Sequence, residues 1–194
     1  MMEITLVRHT SVDVPKGTCY GWSDVPVRDT FEEEAEETKR QLQEIIHYQH
    51  HDFDAVFSSP LTRARKLATY CGYPNYQTDD RLKEMNMGEW EMRRYEDIER
   101  EDPRILDWYQ DYLHVRTTGG EVFTEFYERV KGFFDELRNS SAERVAIFAH
   151  GGVLVCASIY MGRFKMEEAF NDLVPYGGIR RYYLLKKDEL KQQK

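Results

Sequence analysis

Apolar positions along the chain keep two rhythms. Short runs from Glu3 to Val7, Ala55 to Phe57, Val145 to Ala149 and Ile179 to Leu185 read as strands, the first of them buried. Longer stretches keep helical spacing. Ala35, Thr38, Leu42, Ile45 and Ile46 follow a capping box of Thr30 and Glu33 and predict a helix to about His47. A second helix carries Leu61 to Cys71, with Ser59 as its cap, Pro60 in its first turn and Gly72 at its end. Asp102-Pro103 opens a third, to about Leu113. Val122, Phe123, Phe126, Val130, Phe133, Phe134 and Leu137 mark a fourth, and a fifth runs from Val153 to Met161. The segment to Asp29 and that from Arg81 to Arg94 read as loop, the latter with a short helix.

Strands alternating with helices predict an α/β fold, with a mainly parallel central sheet covered by helices on both faces. The whole chain, 1–194, reads as one domain, with 86–120 as a small helical cap insertion. In such sheets ligands bind beyond the carboxyl ends of strands, where Arg8-His9, Ser58-Ser59 and His150-Gly151 fall.

Composition narrows the partners. The 194 residues are 41% hydrophobic and 32% charged, enough apolar material for a sizeable core. A net charge of −8 argues against non-specific binding to nucleic acid or anionic lipid, which needs a basic face. Cys19, Cys71 and Cys156 lie far apart, with no pairing pattern for a disulfide framework or structural zinc. The stretch from Val145 to Met161 is too short for a membrane span, and Met1-Met2-Glu3-Ile4 has no secretory character. A cytoplasmic protein is expected. Lys187-Asp188-Glu189-Leu190 spells a retention signal, but four residues follow it.

Arg8, His9, Arg63 and His150 supply a cationic and imidazole cluster suited to a phosphoryl group. Guanidinium forks match phosphate oxygens, and helix starts add unpaired N–H groups. A neutral imidazole can attack phosphorus, and neighbouring arginines penalise its protonation. The leaving alkoxide then needs a proton, for which Glu84 is the local candidate. His47, His50 and His51 read as a solvated helix end, not a metal site. Gly17-Thr18-Cys19-Tyr20-Gly21 imitates a nucleophile elbow and His150-Gly151-Gly152 an esterase loop, but the elbow lacks the required strand before it and helix after it.

Leu6-Val7-Arg8-His9-Thr10, Ser58 to Ala64, Arg81 to Met85 with Gly88 and Trp90, and Ala149-His150-Gly151-Gly152 resemble, in this order, the histidine phosphatase superfamily (phosphoglycerate mutase-like). Cys19 to Pro26 and Gly88 to Arg93 resemble its alpha-ribazole phosphatase branch, which acts on alpha-ribazole 5′-phosphate in assembly of the cobalamin nucleotide loop. The resemblance implies a three-layer phosphoglycerate mutase-like fold, a small-molecule phosphate ester as substrate, and no metal or other cofactor. It makes His9 the phosphorylated nucleophile and Glu84 the proton donor, with Arg8, Arg63 and His150 on the phosphoryl oxygens. Thr10, Tyr20, Gly21 and Gly151 are expected at the substrate. Thr10 stands where the superfamily usually has glycine, and its hydroxyl is a candidate phosphate contact. Tyr20, Trp22, Trp90, Trp108 and Tyr109 could stack on a planar base or simply pack in core and cap. A mutase, a broad sugar-phosphate phosphatase and a non-catalytic phospho-ligand sensor are the alternative functions.

Overall fold

The computed structural model describes residues 1–49, 51–187 and 189, so His50, Asp188 and the residues from Leu190 lie outside the described residues, with part of the histidine-rich helix end and of the retention-like tetrapeptide. Five strands form one sheet: β1 (Met2–Arg8), β2 (Ala55–Ser58), β3 (Gln77–Thr78), β4 (Arg144–Ala149) and β5 (Ile179–Leu184). Their order is β3-β2-β4-β1-β5. All neighbouring pairs are parallel except β1 and β5, which run antiparallel with Met2 opposite Leu184 and Val7 opposite Ile179.

Side-chain alternation along the central strands divides the core into two layers. Ile4 and Leu6 of β1 and Val145, Ile147 and Ala149 of β4 face one cluster, whereas Val7, Ala146 and Phe148 face the other. The first cluster is closed by α5 (Phe123–Leu137) and α6 (Gly151–Tyr160), the second by α1 (Phe31–Gln49) and α2 (Thr62–Tyr70). The molecule is therefore a three-layer α/β sandwich with a mainly parallel sheet. Each fully buried aliphatic or aromatic side chain contributes about 1.5–3 kcal/mol of transfer free energy, so the doubly covered strands anchor the sheet.

Several boundaries differ from the sequence reading. The Thr30 hydroxyl donates to Glu34 Oε1 at 2.7 Å, while Glu33 is exposed; Glu34 also accepts from the Ser11 N–H and hydroxyl. The helical bond reaches four residues on, and the loop competes for the same carboxylate. Helix α2 starts at Thr62, not Pro60, because its free N–H groups find a distant cap: Asp24 Oδ1 accepts from Thr62 N at 2.8 Å and Oδ2 from its hydroxyl at 2.6 Å. Helix α6 begins at Gly151, two residues earlier than expected.

Residues 86–120 hold a 3₁₀ turn at Gly88–Trp90 and two short helices, α3 (Tyr95–Glu101) and α4 (Arg104–Gln110). Only the second was anticipated. Ile98 is the sole buried residue of α3, so no apolar period announces it. Trp90, Ile98 and Ile105 enter the same cluster as β1 and α5. The 3₁₀ turn Met166–Asp172 and the two-residue β3, exposed at both positions, also lack a periodic signal.

Candidate active site

Parallel strands β1, β2 and β4 end at Arg8, Ser58 and Ala149, so the residues that follow emerge on one edge of the sheet. His9 N donates to Ala149 O at 3.0 Å and Ser59 N to Phe148 O at 2.9 Å, which carries the pairing one residue past each strand. The imidazole rings of His9 and His150 meet edge to face with centroids 5.1 Å apart.

His9 is 2% exposed. Its Nδ1 lies 2.6 Å from the Thr10 carbonyl oxygen. A carbonyl only accepts, so Nδ1 carries the hydrogen and Nε2 keeps the lone pair. Burial above all, then the positive charges of Arg63 and Arg8, drive its pKa well below the ordinary histidine value, against the Thr10 hydrogen bond. The ring is a neutral base with its nucleophilic nitrogen selected by its own backbone. His150 is likewise buried, and burial above all, then the positive charge of Arg63, holds it neutral; its Nε2 lies 2.7 Å from Ser59 Oγ. Ser59 thus serves His150, and the Leu61 N–H reaches its hydroxyl oxygen only at 3.3 Å.

Arg63 is fully buried and is seated by two carbonyls: Nη1 donates to Ser23 O at 2.8 Å and Nη2 to Gly21 O at 2.6 Å. Arg8 Nη1 donates to Val174 O at 2.6 Å, and its guanidinium lies over the Tyr176 ring at 4.0 Å. None of these three bonds neutralises its cation. Four buried polar atoms, Arg8 Nε, Arg63 Nε, Thr10 Oγ1 and His150 Nδ1, have no hydrogen-bond partner among the described residues. Such groups are costly unless a ligand completes them.

Glu84 Oε2 accepts from Gly152 N at 3.0 Å, and Oε1 from its neighbour Met85 N at 3.0 Å. Gly152 is demanded by this contact, since a Cβ there would overlap Glu84 Oε1 and lie 2.8 Å from Phe126; at Gly151 a Cβ would lie 3.1 Å from Arg8 Cζ. Arg129 fixes the backbone before the carboxyl group, donating to Arg81 O, Lys83 O and Glu84 O while paired with Glu121 at 2.6 Å. Trp22 Nε1 also donates to Glu84 O at 2.7 Å. Five sequence-predicted residues, Arg8, His9, Arg63, Glu84 and His150, therefore share one strand-end neighbourhood.

The expected substrate residues are placed less uniformly. Thr10 is fully buried beside His9. Tyr20 OH lies 2.7 Å from Tyr176 OH, and the pair spans the site, with the Tyr20 ring 5.5 Å from Arg63 Cζ and the Tyr176 ring 5.5 Å from that of His9. Gly21 has its N–H on Glu91 and its carbonyl on Arg63, so both backbone groups are committed within the protein. Among the aromatics, Trp90 is core: it is fully buried, bonded to Asp102 and packed against Trp108. Sequence reasoning missed Tyr176 and Arg129, which lie in no recognised motif, and left Glu91 unassigned.

Cys19 is 1% exposed and burial pushes its thiol up to about 12, so the elbow-like pentapeptide presents no thiolate. All three cysteines are buried and unbridged. Among the described residues, no cluster of His, Cys, Asp or Glu is arranged to hold a metal ion, and no helix is long and apolar enough to cross a membrane.

Residues 4–183 match the histidine phosphatase superfamily, branch 1. The chain belongs to that family. This histidine phosphatase is 31% identical over 160 residues to the adenosylcobalamin/alpha-ribazole phosphatase of Salmonella typhimurium, covering 79% of this chain and 76% of the relative. It is 29% identical over 143 residues to phosphoserine phosphatase 1 of Hydrogenobacter thermophilus, covering 71% and 65%. The crystal structure of the alpha-ribazole phosphatase from Shigella flexneri superposes with a TM-score of 0.83 at 26% identity, covering 96% of this chain and 92% of that one. The protein is a phosphoric monoester hydrolase of this superfamily.

Two predictions follow from the geometry of this histidine phosphatase. Its two neutral, buried imidazoles have folded pKa values below the unfolded value near 6.5, so the unfolded chain binds two extra protons in acid. Their stabilisation is whole above pH 6.5 and is lost as pH falls, with a limiting slope of about 2.7 kcal/mol per pH unit. Urea unfolding at pH 7.5, 6.5 and 5.5 measures it, and His150→Gln should roughly halve the slope. Gly152→Ala should leave the fold intact but lower kcat about a hundredfold by displacing Glu84, read from steady-state kinetics with circular dichroism as the control.

Proposed function

We propose that this enzyme hydrolyses phosphate monoesters through a phosphohistidine on His9, with alpha-ribazole 5′-phosphate as the natural substrate. The observation that carries the mechanism is the neutral, tautomer-fixed His9 set among buried donors without partners. His9 Nε2 attacks phosphorus, forming the N–P bond as the ester P–O bond breaks. The Glu84 carboxyl group gives its proton to the departing alkoxide. Arg8, Arg63 and His150 take the phosphoryl oxygens, their preorganised charge and N–H groups favouring the transition state. Thr10 adds its hydroxyl. The Glu84 carboxylate then removes a proton from water, which attacks phosphorus and releases inorganic phosphate and neutral His9. No step calls for a metal ion.

Two observations support the substrate. The relatives named above include alpha-ribazole phosphatases in both sequence and structure. Trp22 is 39% and Tyr176 41% exposed, and both touch the machinery, Trp22 through the Glu84 carbonyl and Tyr176 through Arg8. Such rings offer stacking faces for a planar base. Residues 86–120 serve as the cap in this reading.

Three measurements test the proposal. His9→Ala should abolish turnover, and Arg63→Ala should lower kcat by roughly 10²–10³ with the fold retained. Rapid quenching with ³²P-labelled substrate should leave a label on His9 that alkali preserves and acid removes. Full turnover by His9→Ala would overturn the nucleophile. The ratio of kcat/KM for alpha-ribazole 5′-phosphate to that for phosphoserine or 3-phosphoglycerate decides the substrate.

A further inference from the structure

We infer that Glu91 is a positioning residue for Arg63: its carboxylate sets the shape of the 21–23 loop whose carbonyls seat the guanidinium. This inference rests on the phosphate-ester reading of the site and assigns to it a residue that touches neither phosphoryl group nor imidazole. Glu91 follows the 3₁₀ turn Gly88–Trp90 and is only partly exposed. Its Oε2 accepts from Gly21 N at 2.9 Å and Ser23 N at 3.1 Å, and its Oε1 from Trp22 N at 2.8 Å and Met87 N at 3.1 Å. Three consecutive N–H groups thus turn toward one carboxylate. Their carbonyls are left to face elsewhere, and those of Gly21 and Ser23 face Arg63 at 2.6 and 2.8 Å.

The arrangement has little slack. A Cβ on Gly21 would overlap the Met85 carbonyl and stand 3.0 Å from Glu91 Oε1, so the loop is wedged between Glu91 and the segment that carries Glu84. Met87 N binds the same carboxylate from that segment, giving the phosphate clamp and the candidate acid a common reference point. Burial opposes the charge on Glu91, yet hydrogen bonds from Ser23 and from the backbone of residues 21–23 hold its pKa below the ordinary glutamate value. A carboxylate suits the position because its four backbone partners are all donors. Glutamine would turn an amide N–H₂ toward two of them.

The test uses p-nitrophenyl phosphate as substrate and inorganic phosphate as competitive inhibitor, with the intact enzyme. Glu91→Gln should raise the phosphate inhibition constant about tenfold and lower kcat/KM about a hundredfold, the scale of misaligning one preorganised donor. In an Arg63→Ala background the same substitution should add less than about threefold, since groups acting as one unit are not additive. A wild-type inhibition constant and kcat/KM in Glu91→Gln, or a further loss above threefold without Arg63, overturns the inference. If Glu91→Gln does not fold, Glu91→Asp, with the same charge on a shorter arm, is held to the same two criteria; if neither folds, Glu91 is a fold residue and the inference falls. The two readings fail separately: an active His9→Ala removes the phosphohistidine, whereas an inactive His9→Ala beside a wild-type-like Glu91→Gln removes only the role of Glu91.

Discussion

The hydrogen bond from His9 Nδ1 to the carbonyl of Thr10 ties a side chain to the backbone of its own neighbour. Because the acceptor is the main chain at a strand end, the ring orientation is inherited from the sheet rather than from a mobile partner. Burial supplies the rest. An imidazole removed from water between two guanidinium groups cannot hold a proton near neutrality, so one nitrogen is always free. The strand order and the His150 contact both converge on that ring.

The arginines of the site differ from those of the surface in what holds them. Arg40 pairs with Glu37 and Glu44, and Arg116 with Glu125, in exposed ion pairs that cancel charge and add little stability. Arg8 and Arg63 are held by carbonyl oxygens instead. A carbonyl dipole orients a guanidinium without neutralising it, so the positive charge stays available to an anion. This is how a chain of net charge −8 keeps a cationic pocket.

The parts of the molecule legible in the sequence are those whose signal is a residue type at a fixed spacing. Strand β1 shows as an apolar run that stops at Arg8-His9, and α5 as six apolar residues on one face. Glu91 was illegible because its partners are main-chain N–H groups, which every residue but proline possesses. The cap of α2 comes from Asp24, far away in sequence, and no local pattern reports it. The antiparallel direction of β5 was equally hidden, since the side-chain pattern of a strand reads alike in either direction. Tyr176, in a loop of Pro175-Tyr176-Gly177-Gly178, gives only a turn signal, although its ring lies against Arg8 and His9.

The strand order carries a kinetic consequence. Strand β4, at residues 144–149, lies between β1 and β2, so the two earlier strands touch each other only through a segment made much later. During synthesis, β1 has no neighbour in the sheet until β4 has emerged, more than 130 residues later, and its last partner, β5, follows later still. Contacts this distant in sequence close slowly. The imidazole at position 9 is made well before the strand that completes its surroundings, so a nascent or truncated chain lacking β4 holds that ring without the environment that keeps it buried and neutral.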